Sequence, residues 1–449
     1  MTNNNLNLLE IEPLRNLKFW HIWALGVGAV VGDGIFLLIG QGIQMAGPSA
    51  IMAFIIAGLL ELFLQLSLSE LAVGMPSAGA MSVWSERLLG KWWGYLAGMA
   101  WAMAWIFVGG CTSIALGRFL AWFIPVNELI LAGIAVTIFF LLNLRGSLIA
   151  ATTQLWLVII LVAIMSCLAI VGIPFAIKGI PENFVPFAPN GWKNMFLAIP
   201  LAGYAFMGTA SLTTSGSEVQ DIKDLPKALI WSAITFIVLY NLSLIVMIGA
   251  TPWQELSMSE SPYVTFANKI FGKSAASIVN LAAIIAATTT VLMGTFYGAS
   301  RILFYEARNG RLPKIFGYLH PKWRTPTWGL FIIWIISISL IAIAKFNVDY
   351  IYVTISMQFL VASYITYALS ILAAILYRKR FPEEIAGLPF KIPVPFLTFT
   401  IAILGLIISI YFAFVNTPQV LFGSLGWIIP LYLYYQYTNR KNSDLKLYQ

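Results

Sequence analysis

The sequence has few charged residues: only 10% of its 449 residues are Asp, Glu, Lys or Arg, while 60% are hydrophobic. A soluble domain carries roughly a quarter charged residues, so this composition excludes a water-soluble fold. Cysteine and histidine are scarce as well, with two of each. Cys111 and Cys167 lie in apolar stretches, which predicts neither a disulfide nor a metal site and leaves the redox compartment open. No catalytic triad or phosphate-binding loop occurs, so we expect neither an enzyme nor a cofactor.

The basic residues, which give the chain a formal net charge of +8, stand in short clusters between apolar segments. A nucleic-acid-binding surface would collect them on one face of a soluble module, so we expect no nucleic acid partner. Cytosolic loops of membrane proteins carry the excess of Lys and Arg. Applied here, this rule predicts that both termini lie in the cytosol. We expect a multi-pass protein embedded in the lipid bilayer of the cytoplasmic membrane. The segment from Met1 to Glu12 lacks the features of a signal peptide.

Apolar stretches long enough to cross a bilayer, about 20 residues each, follow one another along the chain. Their lengths and the breaker residues between them predict an all-α integral membrane fold with about twelve transmembrane helices. The predicted spans are 19–42, 48–72, 92–123, 128–145, 149–177, 193–216, 227–250, 273–305, 327–344, 348–377, 394–415 and 418–438.

Two spans are interrupted near their middles by glycines and polar residues. Helix 1 contains Gly32-Asp33-Gly34, and helix 6 contains Met207-Gly208. Spans five apart in the order have opposite orientations, so the pair predicts two inverted five-helix repeats with two extra helices appended. Hydrocarbon cannot satisfy unwound backbone, which therefore persists only where it lines a cavity or a binding site. The competing interpretation is that these glycines only allow close helix packing.

The predicted organisation follows from these spans. It consists of a cytosolic N-terminal tail (1–18), a first five-helix repeat (19–177), an extracellular loop (178–192), a second inverted repeat (193–377), a cytosolic loop (378–393), helices 11 and 12 (394–438) and a cytosolic C-terminal tail (439–449).

Short motifs occur in a fixed order along nearly the whole chain. They are Gly28-Ala29-Val30-Val31-Gly32-Asp33-Gly34-Ile35-Phe36, Ala46-Gly47-Pro48, Ser69-Glu70-Leu71, Asn143-Leu144-Arg145-Gly146, Tyr204 to Gly208, Leu225-Pro226-Lys227-Ala228 and Ala307 to Pro313. In order and spacing these blocks resemble those of the amino acid-polyamine-organocation (APC) superfamily of permeases. The resemblance implies a secondary active transporter that moves an amino acid or related amine by alternating access, as a symporter or an antiporter.

The resemblance also implies where the substrate binds. In relatives, amides at the start of the second half of helix 1 hold a carboxylate, and unwound carbonyls hold the amino group. The lysine that replaces a sodium ion in some proton-coupled relatives corresponds here to Leu161. The substrate-binding residues implied by position are Ala29, Val30, Gly32, Asp33, Gly34, Tyr204, Phe206, Met207, Gly208 and Thr209.

Three polar residues are candidates for coupling. Asp33 replaces the small residue that the family has between its glycines, and it could cap the helix, pair with a substrate ammonium group or carry a proton. Glu61 lies in the middle of helix 2, where a carboxyl group either couples transport or bonds to another helix. Thr289, between Thr288 and Thr290, could bind sodium through its hydroxyl or bond its own backbone.

These features predict a proton-coupled transporter or an exchanger, with a small amino acid or amine as its substrate. A sodium-coupled amino acid symporter is the alternative for the coupling ion. A nutrient sensor built on the transporter fold is a second alternative, because a sensor would need the same binding site. Trp101 and Trp105 on helix 3 either line the pathway or pack.

Overall fold

The computed structural model describes residues 15, 17–77, 79–145, 147–216 and 218–447. These residues form an assembly of helices in which the one isolated bridge is a parallel pairing of Leu17 with Val219. Eight helical stretches among them are long and apolar enough to cross a membrane, and three shorter apolar helices accompany these. The all-α prediction is therefore confirmed.

Helix 1 and helix 6 are interrupted where the sequence predicts. Helix 1 runs over Phe19–Val30 and resumes as a π-helical turn at Gly34–Leu38, followed by Ile39–Ala46. Helix 6 is built from Trp192–Leu197 and Ile199–Phe206, and a 3-10 helix follows at Thr209–Ser215. Both breaks leave two or three residues outside regular helix, because glycine lowers the stability of a helix interior.

The other long helices are continuous or contain a π-helical turn. They are helix 2 (Ala50–Gly74), helix 3 (Lys91–Ala121), helix 4 (Glu128–Leu144), helix 5 (Ser147–Asn183), helix 7 (Asp224–Ala250), helix 8 (Lys273–Thr290, Val291–Gly298 and Ala299–Arg308), helix 9 (Thr327–Ala344), helix 10 (Val348–Arg380), helix 11 (Pro395–Asn416) and helix 12 (Gln419–Leu447). Short helices at Gly47–Ser49, Met81–Leu89, Trp253–Ser257, Pro262–Phe271, Lys314–Gly317 and Pro382–Ala386 connect them.

Helix 5 continues to Asn183, beyond the end predicted at residue 177. The side chain of Asn183 donates a hydrogen bond of 2.8 Å to the carbonyl of Gly249 on helix 7. Gly179 lies against the same carbonyl, so that a side chain at residue 179 would overlap with it. The last turns of helix 5 therefore pack closely against the end of helix 7.

One face of the bundle, here called the terminal face, carries Leu17 and the segment after helix 6. The amide of Leu17 donates to the carbonyl of Glu218 at 3.1 Å, and the amide of Gln220 donates back to Leu17 at 2.9 Å. The carboxylate of Glu218 pairs with Arg301 of helix 8 at 2.6 Å and accepts a hydrogen bond from Tyr297 at 2.7 Å. The chain before helix 1, the end of helix 6 and helix 8 are thereby joined.

The terminal face is also held by Glu70, at the end of helix 2. Its carboxylate is 1% exposed and receives two hydrogen bonds from the guanidinium of Arg378 on helix 10, at 2.6 and 2.7 Å. The amide of Ile392 donates to it as well, at 3.3 Å. Glu70 therefore clamps the loop before helix 11 to helices 2 and 10.

The opposite face is joined by Arg118, at the end of helix 3. Its guanidinium pairs with Glu128 of helix 4 and with Asp349 of helix 10, both at 2.9 Å. A cavity of about 470 Å³ lies beside this cluster, between Leu37 of helix 1 and Asn280 of helix 8.

Replacing Glu70 by Gln leaves the guanidinium of Arg378 without its carboxylate partner. Loss of one member of a buried pair costs about 3 kcal/mol or more, so we expect a clearly lower melting temperature of the purified protein in detergent. Glu384→Gln is the matched control, since its ion pair with Arg87 is solvent-exposed and exposed pairs contribute little. Equal melting temperatures of the two variants would contradict the assignment.

Candidate substrate-binding site

The breaks of helices 1 and 6 lie against each other through glycines. Gly208 has a φ of 138°, a backbone angle that residues other than glycine rarely adopt. A Cβ atom at this position would overlap with the carbonyl of Ala29. On the other side, a Cβ on Gly34 would come within 2.7 Å of the ring of Tyr204. The two interruptions are therefore close enough to form one site.

A small cavity lies between these breaks and helices 3 and 10. Its volume is about 10 Å³, room for roughly one water molecule, so this conformation is closed around the site. Seven of the residues implied by the resemblance line it, together with Ala205 of helix 6, Trp105 and Val108 of helix 3 and Phe359 of helix 10. The seven are Ala29, Val30, Gly32, Asp33, Gly34, Tyr204 and Met207.

Three of the predicted residues do not line the cavity. The ring of Phe206 packs instead against Phe54 of helix 2 and against Phe236 and Tyr240 of helix 7. Gly208 sets the spacing between the breaks. The hydroxyl of Thr209 is buried and makes no hydrogen bond to any residue that the structure describes.

The carboxylate of Asp33 is the most polar group in the site. It accepts hydrogen bonds from three hydroxyls: Thr112 of helix 3 at 2.7 Å, Tyr352 of helix 10 at 2.5 Å and Tyr204 of helix 6 at 3.3 Å. It makes no capping hydrogen bond to its own helix. In this conformation the side chain of Asp33 joins four helices.

Sequence reasoning missed the partners of Asp33. Thr112 follows Trp105 and Val108 at helical spacing, and Tyr352 precedes Phe359 by two turns, so each lies on the helix face that reaches the cavity. That spacing is the signal that could have identified them. Cys111 was also missed: its sulfur lies 3.1 Å from the hydroxyl of Tyr204.

The two tryptophans of helix 3 have different positions. Trp105 lines the cavity, as one interpretation of the sequence had it. Trp101 packs edge-on against Trp105, with ring centroids 5.7 Å apart, and also contacts Tyr367 of helix 10.

The other two coupling candidates lie outside this cavity. Glu61 is 3% exposed and lines a separate cavity of about 20 Å³ between helices 2, 6, 10 and 11. The hydroxyl of Thr289 donates to the carbonyl of Ala286 at 2.8 Å and lies 3.4 Å from the carbonyl of Gly28. Asp33, Glu61 and Thr289 thus occupy three different places.

Helix 5 brings a further polar group that the sequence did not single out. Leu161, the position of the coupling lysine in some relatives, is fully buried. Two turns earlier, the amide of Gln154 lies against Gly28, where a Cβ would overlap with it. Within the described part of the chain, neither polar atom of this amide has a hydrogen-bond partner.

The sequence matches the amino acid permease family model over residues 21–438, and the chain belongs to this family. It is an integral membrane protein. Among its relatives, the D-serine/D-alanine/glycine transporter of Escherichia coli (strain K12) is 28% identical over 330 residues, 70% of each chain. The amino-acid permease RocE of Bacillus subtilis (strain 168) is 25% identical over 471 residues, covering 99% of this chain and 98% of RocE.

A second relative from Bacillus subtilis (strain 168), the branched-chain amino acid permease BcaP, is 28% identical over 337 residues, 70% of this chain and 72% of BcaP. Among solved structures, the crystal structure of MhsT in complex with L-phenylalanine matches with a TM-score of 0.65 and 14% identity. The match covers 90% of this chain and 99% of MhsT. It shows that the two proteins share a fold.

Gly208→Ala tests whether the two breaks must touch. Alanine there combines an unfavourable backbone conformation, about 1–3 kcal/mol, with overlap on the Ala29 carbonyl. We expect a lower melting temperature and loss of amino acid uptake into liposomes. Gly272→Ala is the control, since residue 272 also has a positive φ of 84° but nothing lies within 4 Å of its Cβ position. Wild-type uptake by Gly208→Ala would refute the contact.

Proposed function

We propose that this protein is a secondary transporter that moves a small amino acid or related amine across the cytoplasmic membrane by alternating access. The family, the fold shared with MhsT and the amino acid transporters among its relatives support this proposal. The proposed orientation has both termini in the cytosol, so that the terminal face is the cytosolic face.

The observation that carries the proposal is the position of the Asp33 carboxylate between the two helix breaks. A carboxylate can accept about four hydrogen bonds, and three hydroxyls provide three of them. In our proposal the ammonium group of the substrate supplies the fourth. Because Asp33 does not cap its helix, the amides from Gly34 onward can receive the substrate carboxylate.

Alternating access requires that the contacts at each face open in turn. On the terminal face, the pair between Glu218 and Arg301 joins the end of helix 6 to helix 8. On the opposite face, Arg118 joins helix 3 to helix 10 through Asp349. Both pairs are intact in this structure and the central cavity is nearly filled, as in an occluded state between the two openings.

The proposed coupling is to protons, or exchange of one solute for another. Sodium is the alternative, and one observation favours it. The hydroxyl of Thr289 and the carbonyls of Ala286 and Gly28 converge between helices 8 and 1. Oxygen atoms are the ligands that a hard cation prefers.

The test is transport by purified protein in liposomes. The radiolabelled solutes are glycine, alanine, serine, leucine, arginine and putrescine. Each is added outside the liposomes under an inward proton gradient or an inward sodium gradient. Exchange is measured without a gradient, with the unlabelled solute inside. We expect one or more of these solutes to accumulate or exchange above protein-free liposomes. Absence of flux for every solute under every condition would refute transport, and flux driven by sodium alone would select the alternative coupling ion.

Asp33→Asn keeps the size of the side chain and removes its charge. If Asp33 holds the substrate ammonium group, the apparent affinity for the transported solute falls by at least about thirtyfold, or ~2 kcal/mol. Thr112→Val removes one hydroxyl partner and leaves the charge, so we expect a smaller loss. Binding is measured by scintillation proximity with the solute found above. Unchanged affinity in Asp33→Asn would refute this role.

A further inference from the structure

The second cavity, here called the Glu61 cavity, is separate from the substrate site but shares one wall with it. It is enclosed by helix 2 around Glu61, by helix 6 at Gly203 and Met207, by Tyr364 of helix 10 and by Ser409 of helix 11. Met207 lines both cavities. A movement of Met207 in the helix 6 break would therefore change the shape of both cavities.

The carboxyl group of Glu61 has no cationic partner. None of the ion pairs formed by the described residues includes it, and the side chains around it are apolar or uncharged at neutral pH. The other titratable groups that face it are the phenols of Tyr364 and Tyr367, both from helix 10. Helix 2 contributes the uncharged Gln65, and helices 6 and 11 contribute no charged group. An ionised carboxylate without a counter-charge is strongly disfavoured in such a place, so the closed conformation favours neutral Glu61.

Gln65 gives Glu61 a partner in either protonation state. Its side-chain nitrogen donates to the carboxyl oxygen of Glu61 at 2.5 Å, which suits the carboxylate. Its side-chain oxygen has no hydrogen-bond partner within the described part of the chain. Rotation of the amide by half a turn would present that oxygen as an acceptor for a protonated carboxyl group.

Asp33 is also buried and forms no ion pair with any described residue, but its hydrogen-bond partners differ from those of Glu61. Three hydroxyl groups point at its two oxygens, and protonation would deprive at least one of these donors of its acceptor. The same group also lies at the break of helix 1, where the start of the following helical segment favours negative charge. The two carboxyl groups are therefore suited to different tasks.

We propose that Glu61 is the residue that binds and releases the coupling proton, while Asp33 stays ionised and holds the substrate. The inference rests on the proposed transport function. Protonated Glu61 allows helices 2, 6, 10 and 11 to close as in this structure. In this proposal the substrate-loaded protein opens and closes with Glu61 protonated. Release of the proton to water then hydrates the Glu61 cavity and displaces Met207 in the helix 6 break, which couples the proton gradient to net transport.

Glu61→Gln mimics the protonated state permanently and is compared with wild type in liposomes, using the solute found to be transported among glycine, alanine, serine, leucine, arginine and putrescine. We expect exchange without a gradient to stay within about twofold of wild type, because the substrate site is intact. Accumulation driven by a proton gradient falls to the level of protein-free liposomes. Glu61→Asp retains a carboxyl group and is expected to keep gradient-driven accumulation.

The outcomes separate this inference from the proposed function. Wild-type protein without any flux refutes transport itself. Two results would leave transport standing and overturn the role of Glu61. One is a wild-type protein that exchanges solute but does not accumulate it under a proton gradient. The other is a Glu61→Gln variant that still accumulates solute. Loss of exchange as well as accumulation in folded Glu61→Gln also overturns it, because Glu61 would then be needed for substrate movement.

A second measurement uses the wild-type protein and does not depend on folding of a variant. Dicyclohexylcarbodiimide adds to protonated carboxyl groups in apolar surroundings and gives a stable N-acylurea. Peptide mass spectrometry after labelling in detergent is expected to find the adduct on Glu61 and none on Asp33. An adduct on Asp33 with none on Glu61 would reverse the assignment.

Discussion

Backbone groups that leave a helix inside a bundle of apolar helices must find other partners, and this requirement organises the centre of the protein. The breaks of helices 1 and 6 meet because Gly208 allows the backbone to approach the carbonyl of Ala29. The carbonyl of Val30 accepts a hydrogen bond from Tyr240 of helix 7, at 3.2 Å. The position of the site and the need for glycine both follow from this one constraint.

Three buried carboxyl groups have different surroundings, and in our proposal these surroundings suit each group to a different role. Glu70 lies against a guanidinium and clamps helices 2 and 10. Asp33 lies among hydroxyls from helices 3, 6 and 10. Glu61 accepts a hydrogen bond from the amide of Gln65 and lies beside the phenols of Tyr364 and Tyr367. A carboxylate paired with a cation, such as Glu70, holds helices together. A carboxylate surrounded by hydroxyl donors, such as Asp33, can bind a cationic group, and a carboxyl group without an ion pair, such as Glu61, can take up and release a proton.

The ion pairs at the two faces join the helices that the proposed mechanism moves. On the terminal face, Glu218 pairs with Arg301 and accepts a hydrogen bond from Tyr297. On the opposite face, Arg118 pairs with two carboxylates. Between them, the central cavity has room for roughly one water molecule. The proposed transport cycle would therefore open one set of pairs while the other remains closed, with the helix 6 break as the element common to both cavities.

Composition and glycine placement were sufficient to predict the helical membrane fold and the two breaks, because helix formation and its interruption depend on neighbouring residues. The family resemblance implied seven of the residues that line the cavity. Tertiary structure alone decided which side chains reach the site. Phe206 turns away, and Asp33 binds Tyr352, a residue 319 positions further along the chain. Such contacts depend on how helices rotate and pack, which the order of residues in one helix does not reveal.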